Sequence, residues 1–227
     1  DYRNLVIRRG EHVPAQYLSG EAWLYGRSFR VNPDVLIPRQ DTEVLVEEAL
    51  KRIIPGMRIL DLCTGSGCIL LTILKEASVS GVGTDISPAA LRMAELNRKR
   101  LKAKAGWIES DLFEKVGGRF DMILSNPPYI AAGVIPELDP EVRDHEPRQA
   151  LDGGEDGLDF YRRIVREAPE YLKPGGWLCL EIGYDQGESL RSLLREAGFS
   201  SVEIIKDLAG LDRVAAGCLG PAPDQKE

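Results

Sequence analysis

The stretch Asn126-Pro127-Pro128-Tyr129 directly follows the mostly apolar run Phe120-Asp121-Met122-Ile123-Leu124-Ser125, and its residue types suit the handling of a planar NH2 group. Neither proline carries a backbone N–H, so a sheet ladder cannot continue through them. Each also restricts the residue before it to extended geometry, which leaves Asn126 and Pro127 little freedom. The result is a stiff edge offering a side-chain amide, bare carbonyls and an aromatic face. A planar NH2 group carries two N–H donors and needs two acceptors. Asn126, Pro127, Pro128 and Tyr129 are therefore the candidate substrate-binding residues, and Asn126, Pro127 and Tyr129 the candidate catalytic set. At this point a nucleobase amine and a carboxamide fit equally well.

A second group of residues lies upstream. Asp61-Leu62-Cys63-Thr64-Gly65-Ser66-Gly67 closes a short apolar stretch and opens a helical one. Glycines in such a turn let the backbone approach a ligand closely. The third glycine of the dinucleotide fingerprint is absent, and so is the Lys-Ser/Thr pair of a P-loop, which disfavours a pyrophosphate. Asp85, twenty residues after Gly65, ends the next strand-like run and can accept from both hydroxyls of a ribose. Asp111 follows the next such run; it can accept from an adenine amino group while Leu112 or Phe113 packs on the ring. Cys63, Thr64, Gly65, Ser66, Gly67, Asp85, Asp111, Leu112 and Asn126 thus form a candidate cofactor site for a nucleoside without phosphates. Beside a loop that holds an NH2 group, such a nucleoside indicates S-adenosylmethionine (SAM).

The elements that would position these residues alternate. Strands are predicted at 58–62, 80–85, 105–109, 120–125, 177–182, 202–205 and 213–218. Helices are predicted at 42–53, 67–77, 88–101, 159–171 and 186–197, with Ser87 as N-cap and Pro88 at the first position of the third. This alternation predicts a mostly parallel, doubly wound sheet, with the candidate residues gathered at its carboxyl edge. Residues 1–20 read as a linker. Residues 21–31 read as a hairpin turning on Gly26-Arg27 in a type II′ geometry. Residues 130–157 show no periodicity and carry Pro136, Pro140 and Pro147 before a glycine- and acid-rich run. Following directly on the Asn-Pro-Pro-Tyr stretch, they are expected to cover a substrate.

The 227-residue chain is 43% hydrophobic and 29% charged, which is ordinary for a globular protein. No apolar run approaches the ~20 residues that span a bilayer. A net charge of −7 weighs against a protein that neutralises nucleic-acid phosphates. Cys63, Cys68, Cys179 and Cys218 form no Cys-x-x-Cys pair, and with two histidines in the chain no metal site is expected. Reduced cysteines fit a cytoplasmic location.

Over residues 14–219 the chain resembles the HemK/PrmC-type glutamine methyltransferases that modify peptide chain release factors. The resemblance rests on Gln16 to Gly20, Leu36-Ile37-Pro38-Arg39 with Asp41-Thr42-Glu43, Asp61 to Gly67 and Asp85-Ile86-Ser87-Pro88. It continues through Asn126 to Ile130, Glu146-Pro147-Arg148, Leu151 to Leu158 and Leu172 to Gly176. It implies a class I SAM-dependent, Rossmann-like methyltransferase with a seven-stranded, mostly parallel sheet whose last strand is antiparallel, plus the N-terminal β-hairpin. It also implies transfer of a methyl group to the side-chain nitrogen of the glutamine in the Gly-Gly-Gln loop of class I release factors, with no membrane and no direct nucleic-acid substrate. The division expected is 1–38 as linker and hairpin, a remnant of the connection to the helical domain the family carries and this chain lacks; 39–220 as the methyltransferase domain; and 221–227 as a polar tail. Cys63 departs from the family, which has glycine there.

The Asn-Pro-Pro-Tyr element alone also occurs in enzymes that methylate adenine N6 or cytosine N4, so a nucleic-acid amino-methyltransferase is the competing expectation. A non-catalytic SAM- or partner-binding module is the other. Thr42 and Glu43 approach the cofactor only by resemblance. Glu146 and Arg148 either brace the active-site loop or grip the partner.

Overall fold

The strand-like runs from residue 58 onward become a single seven-stranded sheet in the computed structural model, which describes residues 2–220. The expected tail, 221–227, lies outside the described residues. In chain order the first elements are α1 (Tyr2–Gly10), α2 (Ala15–Ser19), β1 (Glu21–Leu24), β2 (Arg27–Arg30), α3 (Thr42–Arg52), β3 (Arg58–Leu62), α4 (Cys68–Glu76), β4 (Ser80–Asp85) and α5 (Pro88–Leu101). Then follow β5 (Ala105–Glu109), β6 (Phe120–Ser125), α6 (Pro140–Arg143), α7 (Asp159–Tyr171), β7 (Leu172–Glu181), α8 (Gly187–Glu196), β8 (Phe199–Lys206) and β9 (Asp212–Leu219).

The sheet order is β5-β4-β3-β6-β7-β9-β8. All strands run parallel except β9, which is antiparallel to both β7 and β8. Register aligns the strand ends: Leu62 lies opposite Thr84 and Ser125, and Ser125 opposite Leu180. The loops after β3, β4, β6 and β7 therefore open on one edge. Strand order reverses at β3, with β4 on one side and β6 on the other, and such a switch point leaves a crevice at the carboxyl edge.

Two apolar layers hold the sheet. Leu45, Val46, Ile69, Leu70 and Ile73 from α3 and α4 cover one face. Tyr161, Ile164, Leu190 and Leu194 from α7 and α8 cover the other. These are i, i+3/i+4 spacings, which place one face of each helix on the sheet.

Four local features depart from the sequence reading. Residues 1–20, expected as a linker, contain α1 and α2. In α2 the cause is tertiary: Tyr17 is buried and its hydroxyl donates to the Val35 carbonyl at 2.6 Å, while Gly20 closes the helix at φ 72°. The hairpin turns on Tyr25-Gly26, one residue earlier than expected. Both have positive φ, 49° and 70°, as a type I′ turn requires. The Tyr25 amide donates to Glu43 Oε1 at 2.7 Å, which compensates a strained residue. Lys173 to Gly176, expected to separate helix from strand, lie inside β7 as an irregularity between the Phe120–Leu172 and Met122–Trp177 pairs. Residues 130–157 are not structureless: Ile130 bridges Asp152, and α6 and short 3-10 turns at 135–137 and 148–150 intervene.

Candidate active site

A cavity of about 350 Å³ opens at the carboxyl edge of β3, β4 and β6. Of the candidate residues, Cys63, Thr64, Gly65, Ser66, Asp85, Asp111, Leu112, Asn126 and Pro128 line it. Gly67, Pro127 and Tyr129 do not. Gly67 is the N-cap of α4 at φ 78°, and a Cβ there would lie 3.0 Å from Trp107, so its glycine serves helix packing. Pro127 is buried and Tyr129 packs against the core cluster of α7 and β7. Phe113, one of two residues expected on a ring, is in the core instead, stacked on Tyr171 with centroids 4.5 Å apart. Its neighbour Leu112 takes the cavity position at φ 47°, a left-handed conformation costly for a branched side chain.

The loop after β3 is fixed from below. Asp61, fully buried, accepts from the Thr64 hydroxyl at 2.5 Å, and the Thr64 amide donates to the Thr84 carbonyl at 2.8 Å. Burial pushes the Asp61 carboxyl up to about 7. Cys63 and Gly65 have φ of 56° and 54°. At Gly65 a Cβ would meet no protein atom and would project into open space, so the chain keeps a bare backbone against the cavity. At Cys63 the left-handed conformation explains why glycine suits the position, and burial drives the thiol's pKa up, so it is not a reactive nucleophile.

Asp85 is held by two backbone donors. Gly65 N reaches Oδ2 and Ser87 N reaches Oδ1, each at 2.9 Å. Desolvation raises its pKa despite these bonds. Asp111, the candidate for reading an adenine amino group, pairs with Arg163 of α7 at 2.9 Å and so already has one cationic partner.

The opposite wall comes from the segment before α3, from α7 and from the long loop. Val35, Leu36, Pro38 and Arg39 precede α3; Phe160 and Arg163 belong to α7; Pro147, Gln149, Ala150 and Asp152 belong to the long loop. The fold brings both Arg39 and Arg163 to the cavity. Glu146 ties two of these segments together. Its buried carboxylate accepts from the Ile37 amide at 3.1 Å and pairs with Arg39. Burial is the largest influence on its pKa and raises it. Glu146 thus braces the loop, whereas Arg148 pairs with Asp152 on the surface. Thr42 lines the cavity; Glu43 does not, being engaged with the hairpin turn.

The donor set fits a nucleoside-bearing sulfonium cofactor better than a nucleotide. A glycine cradle open to the cavity and a carboxylate oriented by backbone amides are present, and the loop has no P-loop lysine. Among the described residues no group of three or more His, Cys, Asp or Glu could hold a metal, and no helix is long and apolar enough to cross a membrane.

Residues 39–137 match the family model described as the methyltransferase small domain. The fold is similar to that of a methyltransferase from Pyrococcus furiosus, with a TM-score of 0.69 at 19% identity over 95% of this chain and 99% of that one. Fold and site together define a class I, SAM-dependent methyltransferase. The sequence is 48% identical to the release factor glutamine methyltransferase of Geobacter sulfurreducens over 220 residues, covering 96% of this chain and 78% of the relative. It is 44% identical to that of Agrobacterium fabrum, covering 92% and 76%. The chain belongs to the release factor glutamine methyltransferase family.

Proposed function

We infer that this protein transfers the methyl group of SAM to the side-chain amide nitrogen of the glutamine in the Gly-Gly-Gln loop of class I peptide chain release factors, an activity tied to translation and hence to the cytoplasm. One observation carries the reading: Asn126 and Pro128 line the same cavity as Gly65, Asp85 and Asp111, so an acceptor edge and a donor cradle share one space. Gly65, Asp85, Asp111 and Leu112 would hold the cofactor, which supplies an electrophilic methyl on a sulfonium.

The chain's own residues must overcome one difficulty. A carboxamide nitrogen is a poor nucleophile because its lone pair is delocalised into the carbonyl. The Asn126 side-chain oxygen and the Pro127 carbonyl would accept the two N–H bonds of the substrate amide; neither accepts a hydrogen bond from a described residue. Two acceptors at fixed positions favour a pyramidal nitrogen and orient its lone pair. Pro128 fixes the loop, and Tyr129 anchors its end. Positioning of this kind is worth several kcal/mol of barrier, roughly a thousandfold or more in rate; the proton the nitrogen gives up passes to solvent during or after methyl transfer, so a dedicated general base is not required.

The test uses labelled SAM with a release factor, the same factor with its loop glutamine replaced, and DNA or RNA. Label on the intact factor alone is expected. Label on nucleic acid would move the assignment to an amino-methyltransferase of bases, and SAM binding without transfer to a non-catalytic module.

A further inference from the structure

We propose that Gln186, which lies outside the cavity, is a positioning residue: it sets the aim of Asn126 by clamping the far end of the Asn-Pro-Pro-Tyr loop. Gln186 is buried at the start of α8. Its Nε2 donates to the Tyr129 carbonyl at 3.0 Å and to the Gly157 carbonyl at 3.2 Å. Its Oε1 accepts from the Gly183 amide at 2.9 Å. One side chain therefore joins three segments: the acceptor loop after β6, the glycine-rich run that ends the long loop, and the turn after β7. Only a carboxamide can do this, because the site needs two donors and an acceptor on one planar group.

The packing around the Tyr129 peptide is equally specific. A Cβ at Gly153 would lie 2.8 Å from Tyr129 Cα, and one at Gly157 would overlap the Tyr129 carbonyl oxygen and sit 2.9 Å from Gln186 Nε2. Bare glycine backbone thus approaches this peptide closely. Ile130 then exchanges backbone bonds with the same run, its amide to Leu151 O at 3.0 Å and its carbonyl from Gly153 N at 2.8 Å.

The mechanical consequence follows from the prolines. Ser125 is fixed in the sheet between Leu62 and Leu180. Pro127 and Pro128 have locked φ, so the loop behaves as a short rigid lever between Ser125 and Tyr129. With both ends held, Asn126 and the Pro127 carbonyl keep one orientation. Releasing the Tyr129 carbonyl leaves it unsatisfied and loosens one end of the lever, which then keeps only the Ile130 backbone bonds and the Tyr129 packing, while the glycine cradle and Asp85 are untouched. Misplacement of a reacting group by an ångström lowers turnover steeply.

This inference rests on the methyl-transfer reading above, and the experiment separates the two. Wild type, Gln186→Leu and Gln186→Glu are compared for SAM affinity by calorimetry, for kcat and KM with a class I release factor, and for melting temperature. The expected result is a kcat at least tenfold lower in both variants, with SAM Kd within twofold of wild type. Gln186→Glu should regain activity relative to wild type as pH is lowered, because a protonated carboxyl can donate to the Tyr129 carbonyl again. A kcat within twofold of wild type in both variants overturns the positioning role, as does a loss in both that only follows loss of folded protein. If wild type itself fails to label the factor, the methyl-transfer reading falls and this inference with it.

Discussion

The Gly65 amide donates to Oδ2 of Asp85 at 2.9 Å, so the loop after β3 and the acid that ends β4 are one unit rather than two neighbours. The bond turns the carboxylate so that its remaining lone pairs are available to hydroxyls, and it holds the glycine cradle at the same time.

Asp85→Ala should therefore weaken SAM binding more than any other change in the cradle. Losing hydrogen bonds to a charged acceptor costs ~1.5–3 kcal/mol, which is roughly a 10- to 100-fold rise in Kd. Calorimetry on the folded variant reads this directly. An affinity within twofold of wild type would remove Asp85 from the cofactor site.

Glu146 is the brace between the segment before α3 and the long loop. Glu146→Ala strands the Ile37 amide and deprives Arg39 of its partner. Arg39 is itself about a third exposed, 37%, so water takes up part of the loss. The expected destabilisation is ~1–3 kcal/mol, read from the midpoint of urea unfolding, with faster proteolysis between residues 130 and 157. Unchanged unfolding and unchanged cleavage would mean that the brace is dispensable.

Much of this architecture is legible in the residues. Strands β3 and β6 fall where the apolar runs put them because parallel strands buried on both faces read as short, nearly continuous hydrophobic stretches. The Asn-Pro-Pro-Tyr loop announces itself through two prolines that no ladder tolerates. What sequence does not announce is set by distant partners. The helical state of residues 15–19 depends on Tyr17 finding Val35, and the turn at Tyr25 depends on Glu43 from another element. Phe113 looked as suitable as Leu112 for a ring-stacking position, but the partner that removes it, Tyr171, lies 58 residues away. Gln186 carries no local signal at all; its role exists only once three chain segments converge.

Cys63 offers a test of backbone strain beside the cofactor. At φ 56° a side chain costs ~1–2 kcal/mol, while glycine costs ~1 kcal/mol through the freedom it gives the unfolded chain. These offset, so Cys63→Gly should change stability by no more than ~1 kcal/mol and leave SAM affinity within twofold. Cys63→Val places a β-branched residue where it is a genuine outlier and should cost ~2 kcal/mol or more. Thermal melts of the two variants decide; equal stability would mean that the strain is relieved by local movement.

Asp61 and Glu181 give the protein an unusual pH response. Both are buried, and Asp61 Oδ1 and Glu181 Oε2 have no hydrogen-bond partner. Desolvation pushes each carboxyl up to about 7, from ordinary values of 3.8 and 4.5. For Glu181, Thr42, Arg213 and Arg39 pull the other way and Asp41 adds to the rise, but burial outweighs the attraction. The folded state therefore binds these protons more tightly than the unfolded chain does. Stability falls as pH rises from the unfolded pKa values toward about 7, then levels off. For Glu181 alone the shift is worth at most ~3 kcal/mol. Carboxylates with depressed pKa, such as Glu95 and Asp121, act in the opposite sense but at lower pH, while Asp85 and Glu146, also raised by burial, act in the same sense as the buried pair; a comparison between about pH 5.5 and about pH 8 therefore reads the buried carboxyls together. The SAM-free protein should melt at a higher temperature at the lower of these two values. Glu181→Gln, neutral throughout, should narrow the gap by raising the melting temperature at the higher pH. A wild-type protein more stable at the higher pH, with a gap the substitution leaves unchanged, would show that water reaches these carboxylates and that their burial costs the fold little.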